Sequence, residues 1–238
     1  MTLTAAQAAD DTAALGKISN SDYGVGISDR AQNVAANFDA LEAETQISAI
    51  TLTDVETPVL SLTTVEALDD TAVLGKITNT DYAVAAVDTV ANVLTNGTAL
   101  HADTAIASIE VSDTAANIIS NSSALGDDAW ITSVNVVDTA AHVSNDLTTL
   151  NGNAQIASIT LTDSGTPTLT LSAAQATTDT KALTEISNHS YAIALSDSAV
   201  HVSAALDDLN SESQLSSITL TDSGTPTLTC SLRGQALD

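Results

Sequence analysis

Eight aspartates, Asp29, Asp54, Asp88, Asp113, Asp138, Asp163, Asp197 and Asp222, each close a run of alternating apolar residues, at spacings of 25, 34, 25, 25, 25, 34 and 25. Self-similarity at a fixed period constrains a chain to a stack of like units, each too small to bury its own apolar face. The longer coil differs from the shorter by nine residues, and the excess follows Asp54 and Asp163, aspartates preceded by ITLT, as Asp222 also is. There ITLTDSGTPTLT runs from Ile159 to Thr170, returns letter for letter at Ile218 to Thr229, and has a looser copy, ITLTDVETPVLS, at Ile50 to Ser61. Ser-Gly suits a tight turn and Pro167 or Pro226 cannot donate to a ladder, so the inserted run predicts a hairpin or corner at the sheet margin.

Between the aspartates the chain reads as one helix and one strand. Asp29, Asp88, Asp113, Asp138 and Asp197 open alanine-rich segments such as DTAANII and DTAAHVS, while Thr4, Thr63 and Ser172 stand in the same relation to TAAQA, TTVEA and SAAQA. All eight predict helix N-caps, and Thr4/Gln7, Thr63/Glu66 and Ser172/Gln175 have capping-box spacing. Offsets of 5, 9 and 12 from the cap form one apolar stripe: Val34, Phe38 and Leu41; Val143, Leu147 and Leu150; Val202, Leu206 and Leu209. Nineteen residues beyond each cap a strand begins, at Tyr23, Ser48, Tyr82, Ala107, Thr132, Ala157, Tyr191 and Ser216. Its inward residues alternate: Val25 and Ile27, Ile50 and Leu52, Val84 and Ala86, Ile109 and Val111, Val134 and Val136, Ile159 and Leu161, Ile193 and Leu195, Ile218 and Leu220.

The implied fold class is α/β, a right-handed strand-helix solenoid with a parallel sheet. Its coils are 4–28, 29–62, 63–87, 88–112, 113–137, 138–171, 172–196 and 197–230, in a single array with a degraded tail at 231–238. Strands stack about 4.8 Å apart and helices about 8 to 10 Å apart, so such a stack curves as leucine-rich repeats do, although the LxxLxLxxN signature is missing. The alternative is an all-parallel β-helix with the alanine-rich segments extended. Thr4 opens a coil without a strand before it, and after Leu228 the pattern dissolves into Cys230-Ser231-Leu232-Arg233-Gly234-Gln235. Ragged ends of this kind predict a piece of a longer array or one that associates end to end.

Thirty acidic residues against five basic ones give a formal charge of −25. That charge repels nucleic acid and anionic membranes and favours cations. One cysteine excludes an internal disulfide framework, no apolar run reaches bilayer length, and Met1-Thr2-Leu3-Thr4 lacks the basic and apolar regions of a signal peptide.

The strings DTAANII, SITLTDSGTPTLTLSAAQA and NHSYAIALSD resemble the β-strand repeat modules of very long secreted or surface proteins of Gram-negative bacteria, often exported by type I secretion. The resemblance covers nearly the whole chain and implies an extracellular or cell-surface location, a structural or adhesive role and a cell-surface or matrix ligand. The GGxGxD nonapeptide of many type I substrates is absent, so a calcium roll does not carry over.

Among chemical sites the aspartate column is the foremost candidate. Eight carboxylates at strand spacing repel one another and could recruit Ca²⁺ as a weak ligand ladder at Asp29, Asp54, Asp88, Asp113, Asp138, Asp163, Asp197 and Asp222. The structural reading, in which each aspartate caps a helix, is favoured because no DxDxDG loop supplies the oxygens calcium needs. His142 and His201 fall where other coils carry Asn33, Asn92 and Asn117, in the first helical turn and facing solvent, while His101 and His189 have no partner in repeat register. No GxSxG, GxGxxG or GxxxxGK[ST] motif occurs, and no cofactor is implied, so the chain reads as non-enzymatic. The TxT pairs, including Thr51/Thr53, Thr160/Thr162 and Thr219/Thr221, suggest an ice-binding face, but Ala83, Ala85, Val87, Glu110 and Asn135 interrupt it and β-propensity explains them.

Overall fold

A computed structural model describes residues 1–20, 22–69 and 71–229. The chain is α/β and divides into two compact units, residues 1–111 with 128–132, and residues 112–127 with 133–238. In the first unit β1 (Thr2–Leu3), β2 (Val25–Asp29) and β3 (Ile47–Leu52) pair in that order, and β4 (Val59–Leu62), β5 (Ala83–Asp88) and β6 (Ile106–Asp113) do the same. In the second unit β7 (Ile131–Asp138) pairs with β8 (Ile156–Leu161), and β9 (Thr168–Leu171) and β11 (Leu215–Leu220) flank β10 (Ala192–Asp197). Every one of these pairings is parallel, so each return from strand to strand crosses over through helix.

The alanine-rich segments are helical, which removes the extended β-helix alternative: Ala115–Ser120 holds AANII and Ala140–Gly152 holds AAHVS. Two of the three predicted stripes are wholly buried, and in the third Val202 and Leu209 are buried while Leu206 is half-buried. Val34, Phe38, Leu41, Val25, Ile27 and Ile50 are all buried in the first unit, and Val143, Leu147, Leu150, Val134, Val136 and Ile159 in the second. Helices that the pattern writes as one are split in five coils: Ala5–Asp10 from Thr12–Leu15, Thr64–Asp69 from Thr71–Leu74, Ala173–Thr178 from Thr180–Thr184, and, at Asn37 and Asn121, Ala31–Ala35 from Phe38–Ala43 and Ala115–Ser120 from Ser122–Asp127. At Asn37 and Asn121 the side-chain amide donates to the carbonyl four residues back, Asn33 or Asn117, as Asn96 also does to Asn92 within the unbroken helix Val90–Ala102, so this bond by itself does not set the break.

The inserted run departs from expectation. β4 and β9 do not fold back as hairpins on β3 and β8; each starts a fresh parallel set, pairing Leu60 with Val84 and Leu169 with Ile193. Proline explains the choice, since its missing N–H and fixed φ suit the start of a strand. Gly165 and Gly224 take φ of 82° and 87° in the turn before it, a region other residues seldom enter. Thr4 is likewise preceded by a strand, because Thr2 and Leu3 pair with Gly26 and Ile27 in the relation that β4 and β9 have to their neighbours.

Strand starts are displaced by a recurring bulge. Val25 pairs with Ile47 and Gly26 with Ala49, leaving Ser48 unpaired, and Ala107, Ala157 and Ser216 are skipped in the same way. Ser48 and Ser216 donate their hydroxyls to the carbonyls of Val25 and Ile193, satisfying acceptors at the irregularity. At β11 the predicted inward residues are not enclosed: Ile218 is 41 % exposed, whereas its twin Ile159 is at 0 %. Among the described residues no helix is long and apolar enough to cross a membrane. The tail at 231–238 and Cys230 lie outside the described residues.

Candidate functional site: the aspartate column

The aspartates do not cap the helices they precede; the cap is the next residue. Thr89, Thr114, Thr139 and Ser198 are the N-caps, each accepting the N–H three residues on, and Arg30 holds the position without a side-chain bond. Asp29, Asp88, Asp138 and Asp197 each stand one residue outside, at the strand end, where the two oxygens face different coils. Oδ1 binds its own coil: in Asp138 it accepts the Thr139 N–H at 2.8 Å and lies 2.7 Å from His142 Nδ1. Oδ2 reaches back to the helix one coil earlier, accepting the first helical N–H of Ala115 at 3.1 Å.

The backward bond recurs from Ala5 to Asp29, Ala31 to Asp54, Thr64 to Asp88, Ala140 to Asp163, Ala173 to Asp197 and Ala199 to Asp222, at 2.6 to 3.0 Å. A carboxylate is thus set at the N-terminal end of a neighbouring helix, where orphan N–H groups carry partial positive charge. The donors Ala5, Ala31, Thr64, Ala115, Ala140, Ala173 and Ala199 are buried, so water is a poor substitute for the carboxylate. The capping expectation therefore holds in chemistry and fails in address.

Where the chain continues directly into a helix, a third donor closes the carboxylate. Asn33, Asn92 and Asn117 give their side-chain amides to Asp29, Asp88 and Asp113 at 2.6 to 2.8 Å, and His142 and His201 take the same place at Asp138 and Asp197. Burial raises the carboxyl pKa of Asp29, Asp88, Asp138 and Asp197, but the hydrogen bonds from side chain and backbone outweigh it and hold each below the ordinary value of 3.8. Asp54, Asp163 and Asp222 precede the Thr-Pro turn and lack the residue four positions on that would supply this donor.

The capping-box predictions hold locally. Thr4 and Ser172 exchange bonds with Gln7 and Gln175, and Thr63 does so with Glu66. Among the described residues no group of three or more His, Cys, Asp or Glu side chains converges to hold a metal ion. The open groove of ≈ 400 Å³ lined by Ile119, Ser122, Thr148, Thr149, Gly152, Asn153 and Ala154 contains no titratable side chain. Away from the column, His101 stacks on Trp130 with centroids 5.4 Å apart and pairs with Asp128 at 3.1 Å. That cluster is out of repeat register, and no periodic signal could reveal it.

A second recurring arrangement was not foreseen. The outer edges of β3 and β8 are closed by short segments from the next coil, Lys76–Asn79 and Glu185–Asn188. Ile50 donates to Lys76 and accepts from Thr78, and Ile159 does so with Glu185 and Ser187, all at 2.8 Å. Asn79 then uses its amide as a surrogate peptide, accepting from Leu52 N–H and donating to Leu52 C=O, and Asn188 treats Leu161 identically. Thr51 and Thr160 engage Thr78 and Ser187 hydroxyl to hydroxyl, which gives these threonines of the TxT pattern a partner inside the protein. The signal was in the sequence as GKITN and TEISN, with a third copy, GKISN, at Gly16 to Asn20. No family model, curated protein or solved structure matches this chain.

Proposed function

We propose that the chain is a non-enzymatic structural module, a strand-helix solenoid that serves as a spacer or adhesive segment of a bacterial extracellular or cell-surface protein. The observation that carries this reading is the backward aspartate bond, made by seven of the eight aspartates, each to the start of a helix 23 or 24 residues earlier in the chain. A residue kept in register for stacking is what a length-setting element requires, and stacking lets neighbouring units shelter one another's apolar faces. The resemblance to surface repeat modules supplies the location, and the charge of −25 suits an exterior without nucleic acid.

Solution scattering extrapolated to zero concentration tests the spacer. A compact globule of this length has a radius of gyration of about 18 Å, and the module should exceed that clearly; a value at the globular figure removes the reading. The calcium-dependent alternative is separated by melting the protein with millimolar Ca²⁺ and with chelator. A structural column shows nearly equal transitions, because the carboxylate oxygens already serve N–H donors, whereas a large rise with Ca²⁺ would favour the binding module.

A further inference from the structure

The same twelve residues occupy two different environments. At Ile159 to Thr170 the ITLT strand is enclosed, Ile159 at 0 % exposure and Leu161 at 3 %, because Glu185–Asn188 lies along its outer edge. At Ile218 to Thr229 the identical strand has no such cover among the described residues, and Ile218 stands 41 % exposed. The covering motif occurs once more, as Lys17-Ile18-Ser19-Asn20, with Ser19 and Asn20 exposed. Upstream in the same coil Ala14 is exposed while its equivalents Val73 and Ala182 are buried, each donating its N–H to a side chain of the preceding coil, Glu42 or Asn151.

We infer that the GKISN segment of one copy of this chain docks on the β11 edge of a second copy, reproducing between molecules the seam seen twice within the chain. The two internal seams specify the contacts. Ile218 donates to Lys17 C=O and accepts from Ser19 N–H, Asn20 bridges the N–H and C=O of Leu220, Ser19 meets Thr219 hydroxyl to hydroxyl, and Ala14 N–H reaches Asn210. An open strand edge is a template for such pairing, and a contact joining different surfaces of like molecules is heterologous, so it propagates into rings or filaments. The contact is specified by the seam hydrogen bonds and is independent of where the chain resides.

One competitor sits nearby. In the seam, Thr170 N–H bonds Ser144 Oγ as β9 is laid down, and Thr229 N–H bonds Ser203 Oγ in the same way. Register equates Thr2 of an incoming copy with Thr229, so the incoming β1 must displace this segment. It is loosely seated: Leu228 is 46 % exposed, against 0 % for Leu169.

Sedimentation of the full chain over a concentration series at low and high salt tests the contact. The expected result is mass growing with concentration above 24.1 kDa, more strongly in salt because each copy carries −25. Asn20→Ala removes the amide bridge and Ile218→Lys puts a charge where the seam is dry; each should weaken association at least about tenfold, and Asn20→Ala, at an exposed residue, should leave the monomer's melting temperature unchanged. Mixed in equal amounts, the two variants retain one intact end each and should form dimers and nothing larger. Thr229→Pro, which deletes the competing N–H, should strengthen association. A monomer at every concentration and salt, or association indifferent to Asn20→Ala and Ile218→Lys, overturns the inference.

Discussion

At the scale of single residues the aspartates are not equivalent, and the difference is set by the residues that come after each one in the chain. Asp138 accepts from Ala115, Thr139 and His142, and is nearly buried, whereas Asp54 accepts from Ala31 and opens onto a turn. Asp138→Ala leaves several donors facing a space that water fills poorly, for a cost of about 3 kcal/mol, while Asp54→Ala loses one capping bond, about 1 kcal/mol. Urea unfolding of the two variants should rank them in that order, and equal losses would mean that the Oδ1 donors contribute nothing. His142 is interchangeable with asparagine, because Asn33, Asn92 and Asn117 deliver the same bond to the equivalent carboxylate. His142→Asn should therefore stay within about 0.5 kcal/mol of the parent, and His142→Ala should fall below it.

At the scale of elements, what the sequence made legible was whatever repeats along one coil. Val143, Leu147 and Leu150 mark a helix face and Val134 and Val136 a strand face, since side-chain periods of 3.6 and 2 are local consequences of backbone geometry. What it hid was bonding distant in sequence: an aspartate before Thr-Ala reads as an N-cap by type, and only the folded chain shows Oδ2 turned to a helix start 23 or 24 residues back. The hairpin expectation failed for the same reason, because Thr-Pro marks a break in pairing without saying which strand the next run will join. The seam offers a check on this account. Asn188→Ala removes two bonds to Leu161 and should cost about 1 to 3 kcal/mol. Amide exchange at Leu161 should accelerate while Leu195, paired on both sides within its sheet, stays protected. Equal acceleration at both would make the seam a part of one global unfolding unit.

At the scale of the molecule, the carboxylates act in two opposed ways. Most of the thirty acidic side chains add to a charge of −25 that repels itself, and salt should stabilise the fold at neutral pH by screening that repulsion. Asp29, Asp88, Asp138 and Asp197 do the reverse, since each has a folded-state pKa below the ordinary 3.8. A group whose pKa is depressed by folding contributes its full stabilisation above the unfolded value and loses it as pH falls through the folded one. Acidification from neutrality should therefore first raise the melting temperature as exposed carboxylates begin to neutralise. Below about pH 4 the melting temperature should drop steeply as the column protonates and the helix N–H groups lose their anions. High salt should flatten the rise and leave the fall in place, because partly buried pairs are screened less than exposed charges. Melting curves between acid and neutral pH at two ionic strengths measure both limbs. A transition that keeps rising to the lowest pH would mean that the carboxylates of the column are a liability relieved by protonation, and that the backward bonds do not hold the coils together.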